Sequence, residues 1–260
     1  MTGKPQSNLK TITINGKTRY HEPAASNIDV AAFRKVVESR RSVRKFTDKP
    51  IPQAVLDDCL DMAMLAPCSS GLQPWEFYIV RSPRKKAKLV EACMSQSAAK
   101  TAAELIVCVA RTDRVNEFSR KMLREWPMPK VPLLVQRYYQ LIPYSYAPGP
   151  LNSFAMMKKA AISVGGLVAP VPRGPFTRNE VELWATKSTA LACENLVLAF
   201  CAHGFDSCMM EGFDEVRVRK LLKLTDNMLP IMVIGAGERA EDGVFYPQVR
   251  FDRELFVHEI

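Results

Sequence analysis

Metal-binding residues are scarce in this sequence of 260 residues. The only histidines are His21, His203 and His258, and the seven cysteines include no C-x-x-C pair. A zinc site would have few possible ligands and no motif spacing, so we expect no metal. The number of cysteines is odd, and several of them, such as Cys59 and Cys108, lie in apolar patterns. Both observations favour buried reduced thiols over a disulfide framework.

Long apolar runs are also missing. No stretch of eighteen apolar residues occurs, which argues against a membrane span. The first seventeen residues lack the apolar centre of a signal peptide. The apolar fraction of 47% and the charged fraction of 24% are those of an ordinary globular protein. We therefore predict a cytoplasmic protein without a membrane partner.

Several common catalytic motifs are absent. The chain contains no P-loop, no G-x-S-x-G and no H-E-x-x-H. Gly235-Ala236-Gly237 is not a dinucleotide-binding fingerprint, because neither a third glycine nor a predicted helix follows it. No side chain can be named as a general acid, a general base or a nucleophile. We predict no catalytic residue.

Positive charge is concentrated near the start of the chain. The net charge is +9, and residues 1–50 hold eleven Lys and Arg against four Asp and Glu. Such a segment indicates an anionic partner, either a nucleic acid or a phosphorylated small molecule, or else an ordinary solvated face. The aromatic residues are not interleaved with the basic ones as base stacking would require. We predict no nucleic-acid partner, although a basic nucleic-acid-binding or regulatory module remains the alternative from another class.

Hydrophobic periodicity predicts one α+β domain over 29–260, preceded by an irregular polar arm over 1–28. Residues 111–185 hold nine of the eighteen prolines and have weak periodicity. We interpret about 111–183 as a lid that covers a site. Elsewhere the patterns predict helices from about Asp29, after Pro52 and over 83–93, 186–202 and 214–222, and strands over 76–81, 103–110, 206–210 and 230–235.

Four segments could carry chemistry. The cluster Arg40-Arg41-Ser42-Val43-Arg44 offers three guanidinium groups and a hydroxyl, which suit phosphate oxygens. The loop 66–75 offers hydroxyls and backbone N–H groups to the polar edge of a planar ligand. Segments 209–214 and 235–250 bring a flexible glycine and further basic residues. Each also has a plain structural interpretation, as a helix end, a connection or a strand-turn-helix junction.

Together these segments resemble the FMN-dependent nitroreductase superfamily. The resemblance lies in RRSVRKF (40–46), APCSSGLQPWEFYIV (66–80), ENLVLAF (194–200) with GFDSCMMEGFD (204–214), and GERAEDGVFYPQVRF (237–251). It covers about 30–110 and 184–255. It implies a nitroreductase-like α+β sandwich, with a mostly antiparallel central sheet flanked by helices, in an intertwined homodimer.

The resemblance also implies a cofactor and its contacts. FMN would be bound at the subunit interface, NADH or NADPH would donate electrons, and a small organic acceptor such as a nitroaromatic compound or a quinone would be reduced by ping-pong hydride transfer through flavin N5. Other chemistries of the same fold are ene reduction, dehydrogenation, dehalogenation and flavin fragmentation. The implied cofactor-binding residues are Arg40, Arg41, Ser42, Arg44, Pro67, Cys68, Ser69, Gly71, Gln96, Glu211, Gly212, Arg239, Gln248 and Arg250. Cys68 stands where serine is more usual, Gln248 replaces a basic residue, and Gln96 substitutes for the Asn and Lys of some members.

Overall fold

Two β-sheets form within residues 10–260, the part of the chain that the computed structural model describes. Strands β1 and β2 make an antiparallel hairpin apart from the main sheet. The main sheet has the order β3-β4-β6-β5, and every neighbouring pair is antiparallel, as the resemblance implied. The strands are β1 Thr11–Ile14, β2 Lys17–Tyr20, β3 Trp75–Ile79, β4 Glu104–Arg111, β5 Asp206–Met210 and β6 Met228–Gly237.

Helices cover both faces of the main sheet. They are α1 Val30–Ser39, α2 Gln53–Met64, α3 Pro83–Ala92, α4 Ser97–Thr101, α5 Val115–Arg124, α6 Leu133–Ser145, α7 Ser153–Gly165, α8 Arg178–Ala202 and α9 Glu215–Leu222. Short 3-10 turns occupy Ser69–Gly71, Pro150–Asn152 and Arg253–Leu255.

Strand β4 supplies the centre of the core to both faces of the sheet. Successive side chains of a strand point to opposite faces. Leu105, Val107 and Val109 accordingly pack with residues of α3 and α9, whereas Ile106 and Cys108 pack with residues of α2 and α8. All five side chains are fully buried. The apolar helices on both sides explain why this strand is apolar without interruption.

Helix α8 begins eight residues before its predicted start at about Thr186. The Thr177 hydroxyl accepts from the backbone N–H of Glu180, and the Glu180 carboxylate accepts from that of Thr177, a capping box that defines the first turn. The helix ends as predicted at Gly204, whose φ is +78°. The N–H of Phe205 bonds to the Phe200 carbonyl at 2.9 Å, which completes a Schellman cap.

The predicted irregular arm was wrong for residues 11–20, which form the β1–β2 hairpin. Its turn is Asn15-Gly16, with φ values of +51° and +71°, the left-handed conformations that a tight hairpin turn requires. Residues 1–9 of the predicted arm lie outside the described residues. The predicted lid contains α5, α6 and α7, so it is largely helical.

Candidate functional site

The arginine cluster lies beside the first half of β5. Ser42 forms a parallel bridge to Ser207, and the N–H of Val43 donates to the Ser207 carbonyl at 3.0 Å. The N–H of Arg44 donates to the Gly243 carbonyl at 2.7 Å. Val43 is fully buried, and its neighbours Ser42 and Arg44 are exposed, as an extended segment predicts. The backbone of the cluster is therefore fixed while its polar groups face outward.

The basic side chains around this cluster differ in their partners. The Arg41 guanidinium donates to the Tyr246 carbonyl at 2.7 Å. Arg239 donates to both carboxylate oxygens of Asp206, at 2.6 and 2.9 Å, and this ion pair raises the pKa of Arg239. Within residues 10–260 no ion pair engages Arg40 or Arg44. Those two guanidinium groups are thus better placed to bind an anion than Arg239, whose donors already face a carboxylate.

Gln96 and Gly212 meet where β5 ends. The Gln96 side-chain amide donates to the Gly212 carbonyl at 2.8 Å, across 116 positions of sequence. Met94 and Ser95, just before Gln96, have φ values of +55° and +52°, so a strained turn directs Gln96 to this place. Glu211, adjacent to Gly212, is exposed. The structure therefore brings three predicted site residues together.

Gly212 leaves its surroundings open. Within 4 Å, a Cβ at this position would meet one atom of residues 10–260, the Gln96 amide nitrogen, at 3.7 Å, which is an ordinary contact. By contrast, a Cβ at Gly237 would approach Phe46 to 3.0 Å, and one at Gly235 would approach the Ala98 carbonyl to 3.1 Å. The Gly235-x-Gly237 pair thus permits close packing, whereas Gly212 leaves room for another molecule against the backbone.

The loop that contains Pro67, Cys68, Ser69 and Gly71 is held by its own backbone. The Cys68 sulfur accepts from the N–H of Gln73 at 3.1 Å, and burial raises the pKa of this thiol. Ser70 and Gly71 both have a φ of +61°. The Cys68 side chain therefore stabilises the conformation of the loop, while Pro67 and Ser69 are exposed on its outer side.

Helix α6 of the predicted lid contacts this loop. The Tyr138 hydroxyl lies 2.7 Å from the Ser70 Oγ, and the Tyr139 hydroxyl donates to the Ser70 carbonyl at 3.0 Å. Burial raises the pKa of Tyr139, which keeps the hydroxyl protonated as a donor. No local sequence pattern connects these two tyrosines to the loop, which lies 68 and 69 positions earlier in the chain.

Two groups of predicted site residues lie at opposite edges of the main sheet. The loop 67–71 leads into β3 at one edge, whereas the cluster 40–44 and residues 211–212 adjoin β5 at the other. Three strand spacings separate these edges, roughly 14 Å. Within residues 10–260 no hydrogen bond or ion pair links the loop to either group.

Gln248 and Arg250 follow β6 on an exposed tail. The Arg250 guanidinium donates to the carbonyl of its neighbour Val249 at 2.8 Å. The tail passes the arginine cluster at Tyr246, the residue that Arg41 contacts. A single chain therefore places the beginning of the tail, but not Arg250 itself, against the cluster.

A groove of about 900 Å³ runs along the outer side of β3. Its walls come from α2, from Gly71 and Gln73 of the loop, from β3, and from α5. Among the strands of residues 10–260, β3 is an edge strand, with β4 on one side only. An edge strand beside a groove can accept another chain segment.

The chain matches a known protein family over most of its length. Residues 37–237 match the family described as Nitroreductase family. The chain is 27% identical to "NADH dehydrogenase" of Thermus thermophilus over 218 residues, which cover 84% of this chain and 91% of the relative. It is 30% identical to Protein DrgA of Synechocystis sp. over 207 residues, 79% of this chain and 83% of the relative.

Solved structures of related fold include two that match nearly the whole chain. A nitroreductase family protein from Streptococcus pneumoniae superposes with a TM-score of 0.64 at 21% identity, covering 88% of this chain and 100% of that one. A protein from Exiguobacterium sibiricum in complex with FMN superposes with a TM-score of 0.64 at 20% identity, covering 92% and 100%.

The fold and the matched length define an α+β oxidoreductase. The chain belongs to the nitroreductase family. Because this is a family of FMN-dependent oxidoreductases, the predicted enzyme class and the predicted cofactor are confirmed. The individual site residues stay predictions.

Proposed function

We propose that this protein transfers electrons from NADH or NADPH to a small organic acceptor, such as a nitroaromatic compound or a quinone, through FMN held between two copies of the chain. Several relatives carry the name NAD(P)H nitroreductase, which supports the nicotinamide donor. The observation behind the shared site is that the loop 67–71 and the cluster 40–44 lie at opposite edges of the main sheet.

The residues of the arginine cluster suit the phosphate of FMN. Arg40 and Arg44 supply guanidinium donors without a carboxylate partner among residues 10–260, and the exposed Ser42 adds a hydroxyl. Guanidinium groups match phosphate oxygens with paired hydrogen bonds. The buried Val43 and the backbone bonds at 43 and 44 hold these donors in place. In this proposal the cluster binds the phosphate end of the cofactor.

Gly212 and Gln96 suit a flat ring system. Among residues 10–260, only the Gln96 amide nitrogen lies within 4 Å of a Cβ built on Gly212, so a planar group can approach the backbone there. The hydrogen bond between Gln96 and the Gly212 carbonyl fixes the amide, which keeps further donor and acceptor atoms for a ligand. Bound FMN would supply the redox chemistry, accepting hydride from the nicotinamide and passing electrons to the acceptor.

A second copy of the chain would complete the site. The loop 67–71 lies at the opposite edge of the sheet from the cluster, and in this proposal it contacts the cofactor bound to the cluster of its partner. The open edge of β3 and the exposed apolar tail, with Val249 and Phe251 both more than 70% exposed, provide surfaces for such a dimer.

Subunit mixing tests the shared site. One variant, R40A/R44A, damages the cluster, and another, Ser69→Tyr, adds bulk to the exposed side of the loop. Each variant alone should bind little FMN and oxidise NADH or NADPH slowly. After unfolding and refolding as a mixture, a shared site predicts heterodimers with one doubly damaged site and one intact site. About a quarter of the wild-type activity should return, because half of the dimers are mixed and each has one intact site.

The mixture also distinguishes the shared site from a site within one chain. If the cluster and the loop served a cofactor within the same chain, every site in a mixed dimer would carry one lesion, and activity would stay at the level of the single variants. Refolded wild type is the control for recovery. The same preparation of wild type, reduced anaerobically with NADH and with NADPH while its flavin absorbance is followed, tests the proposed donor.

A further inference from the structure

The loop 67–71 bends through two residues with left-handed backbone conformations. Ser70 and Gly71 both have a φ of +61°. Glycine adopts this conformation freely, whereas for serine it is uncommon and persists where surrounding contacts hold it. The N–H of Gly71 closes the bend by donating to the Cys68 carbonyl at 3.1 Å. The contacts that hold Ser70 come from helix α6 of the lid.

Two neighbouring tyrosines of α6 bind Ser70 through different atoms. The Tyr139 hydroxyl donates to the Ser70 carbonyl at 3.0 Å, and the Tyr138 hydroxyl lies 2.7 Å from the Ser70 Oγ. Tyr139 is buried, and its ring belongs to the same apolar cluster as Leu72 and Trp184. Because a ring in a close-packed core has little freedom to move, its hydroxyl is a fixed donor. The bond to the carbonyl therefore sets the place of the Ser70 main chain relative to α6.

Helix α5 of the lid contacts the next residue of the loop. A Cβ at Gly71 would lie 3.3 Å from the Met122 Cε, so the backbone there packs closely against this side chain. Leu72, which follows, is buried in the same cluster as Val115 of α5. Residues 70 to 72 are thus attached to the lid by a hydrogen bond, by close packing and by burial. All these contacts lie within one chain, so they do not depend on how a second copy covers its surface.

We propose that Tyr139, assisted by Tyr138, is a positioning residue for FMN: through Ser70 it holds the loop 67–71 in the conformation that contacts the cofactor. This inference rests on the proposed function, in which the loop contacts the FMN bound to the cluster of the partner subunit. The sequence predicts a lid that covers the site. In this proposal the lid also supports the site, because it fixes the loop from within the same chain.

Tyr139→Phe tests the proposal, because it removes the hydroxyl and keeps the buried ring. Fluorescence titration of the apoprotein should show that the Kd of FMN rises about five- to thirtyfold, the equivalent of the roughly 1–2 kcal/mol that ordering the backbone of one residue costs. The matched control is Tyr144→Phe, the same change at a tyrosine of α6 that is 75% exposed. This control should bind FMN like wild type.

A second measurement separates positioning from stability. With FMN in saturating excess, the visible circular dichroism of the bound flavin should differ between Tyr139→Phe and wild type. The rate constant of flavin reduction, at a saturating concentration of whichever nicotinamide reduces wild type faster, should fall about tenfold, since a misplacement of about 1 Å can cost up to a hundredfold. A tyrosine that only stabilised the lid would lower the thermal unfolding midpoint of the apoprotein and leave both properties of the FMN-saturated protein unchanged.

Two outcomes would overturn the proposal. If Tyr139→Phe matched wild type in FMN affinity, circular dichroism and reduction rate while Ser69→Tyr bound little FMN, the positioning role would be wrong and the proposed function would stand. If Ser69→Tyr bound FMN normally, the loop would not belong to the site, and the shared site and the positioning role would both be wrong. Should Tyr139→Phe fail to fold, Tyr138→Phe removes the bond to the Ser70 Oγ at a half-exposed position and takes its place in every measurement, with changes expected in the same directions.

Discussion

Arg44 and Arg239 carry the same guanidinium group near the same cluster but in different electrostatic settings. Arg239 is paired with Asp206 through two hydrogen bonds, and this pairing joins the end of β6 to β5. Arg44 is exposed, its backbone N–H bonds to the Gly243 carbonyl, and no carboxylate among residues 10–260 pairs with its side chain. Of the two, we assign phosphate binding to Arg44, because an anion at Arg239 would have to compete with a carboxylate at 2.6 Å.

Arg44→Ala should weaken FMN binding by about 1.5–3 kcal/mol, roughly ten- to a hundredfold, because it removes a charged hydrogen bond to the phosphate. Riboflavin lacks the phosphate and should lose much less affinity. Fluorescence titration of apoprotein with both flavins measures the difference. Arg34→Ala, which removes an exposed arginine that pairs with Glu38, is the control and should change neither affinity. Equal losses for FMN and riboflavin would mean that Arg44 is structural.

Gly212→Val should slow flavin reduction by about a hundredfold while the protein still folds, since displacement of a reactant by about 1 Å can have an effect of this size. A Cβ at Gly212 meets only the movable Gln96 amide, so the thermal unfolding midpoint of the apoprotein should stay near that of wild type. Gly212→Ala should have a smaller effect. Wild-type reduction rates in Gly212→Val would remove this residue from the site.

At the scale of the secondary-structure elements, a few polar side chains hold helices together, and Glu180 is the best example. Its carboxylate accepts from Lys159 of α7 and from the backbone N–H groups of Phe176 and Thr177. Lys159 and these two N–H groups lower the pKa of Glu180 from 4.5 to about 2. The same carboxylate therefore caps α8 and holds α7.

Glu180→Gln should lower the free energy of unfolding at neutral pH and matter little near pH 2. A carboxyl group whose folded pKa is depressed stabilises the fold above its unfolded pKa, and this contribution disappears as the pH falls from 4.5 to about 2. Urea unfolding of wild type and variant between pH 7 and pH 2 measures the difference. Glu182→Gln, which breaks an exposed pair with Arg178, is the control. If the free energies of unfolding of wild type and Glu180→Gln differed by the same amount from pH 7 to pH 2, the stabilising role of the ionised carboxylate would be contradicted.

The same elements show what the sequence could predict. Strands β3 to β6 and helices α1, α3 and α9 were placed within about three residues, because apolar alternation and caps such as Asp29 and Asp214 are local signals. The start of α8 was missed although Thr177-x-x-Glu180 is itself a local signal. The β1–β2 hairpin was missed in the same way, despite Asn15-Gly16 between residues of high β propensity.

Contacts between distant segments were harder to predict. Gln96 was named as a substitute for residues found in relatives, and its hydrogen bond to Gly212 depends on the strained turn at Met94 and Ser95. The bonds from Tyr138 and Tyr139 to Ser70 join segments 68 and 69 positions apart. No periodicity encodes such pairs, because they result from how the lid helices pack on the sheet.

At the scale of the whole molecule, the predicted site residues lie at opposite edges of the sheet. In the proposed dimer, FMN binding and dimer assembly are therefore thermodynamically linked. If each FMN contacts the cluster of one copy and the loop 67–71 of the other, a ligand that binds only the dimer stabilises it by mass action. FMN at about a hundredfold excess over its dissociation constant adds roughly 2.7 kcal/mol to the assembled state. Removal of FMN should therefore weaken the dimer, and dissociation should release FMN.

Dilution of the holoenzyme should lower dimer content and FMN occupancy together. Analytical ultracentrifugation, recorded at the flavin absorbance and at 280 nm over about a hundredfold range of concentration, follows both quantities in one sample. The variant V249S/F251S removes two exposed apolar side chains of the tail and keeps Gln248 and Arg250, so it should dissociate at higher concentration than wild type. The matched control is the double variant D252N/E254Q, which changes charge but keeps these apolar groups. A monomer that keeps its flavin would refute the shared site and leave the family assignment unaffected.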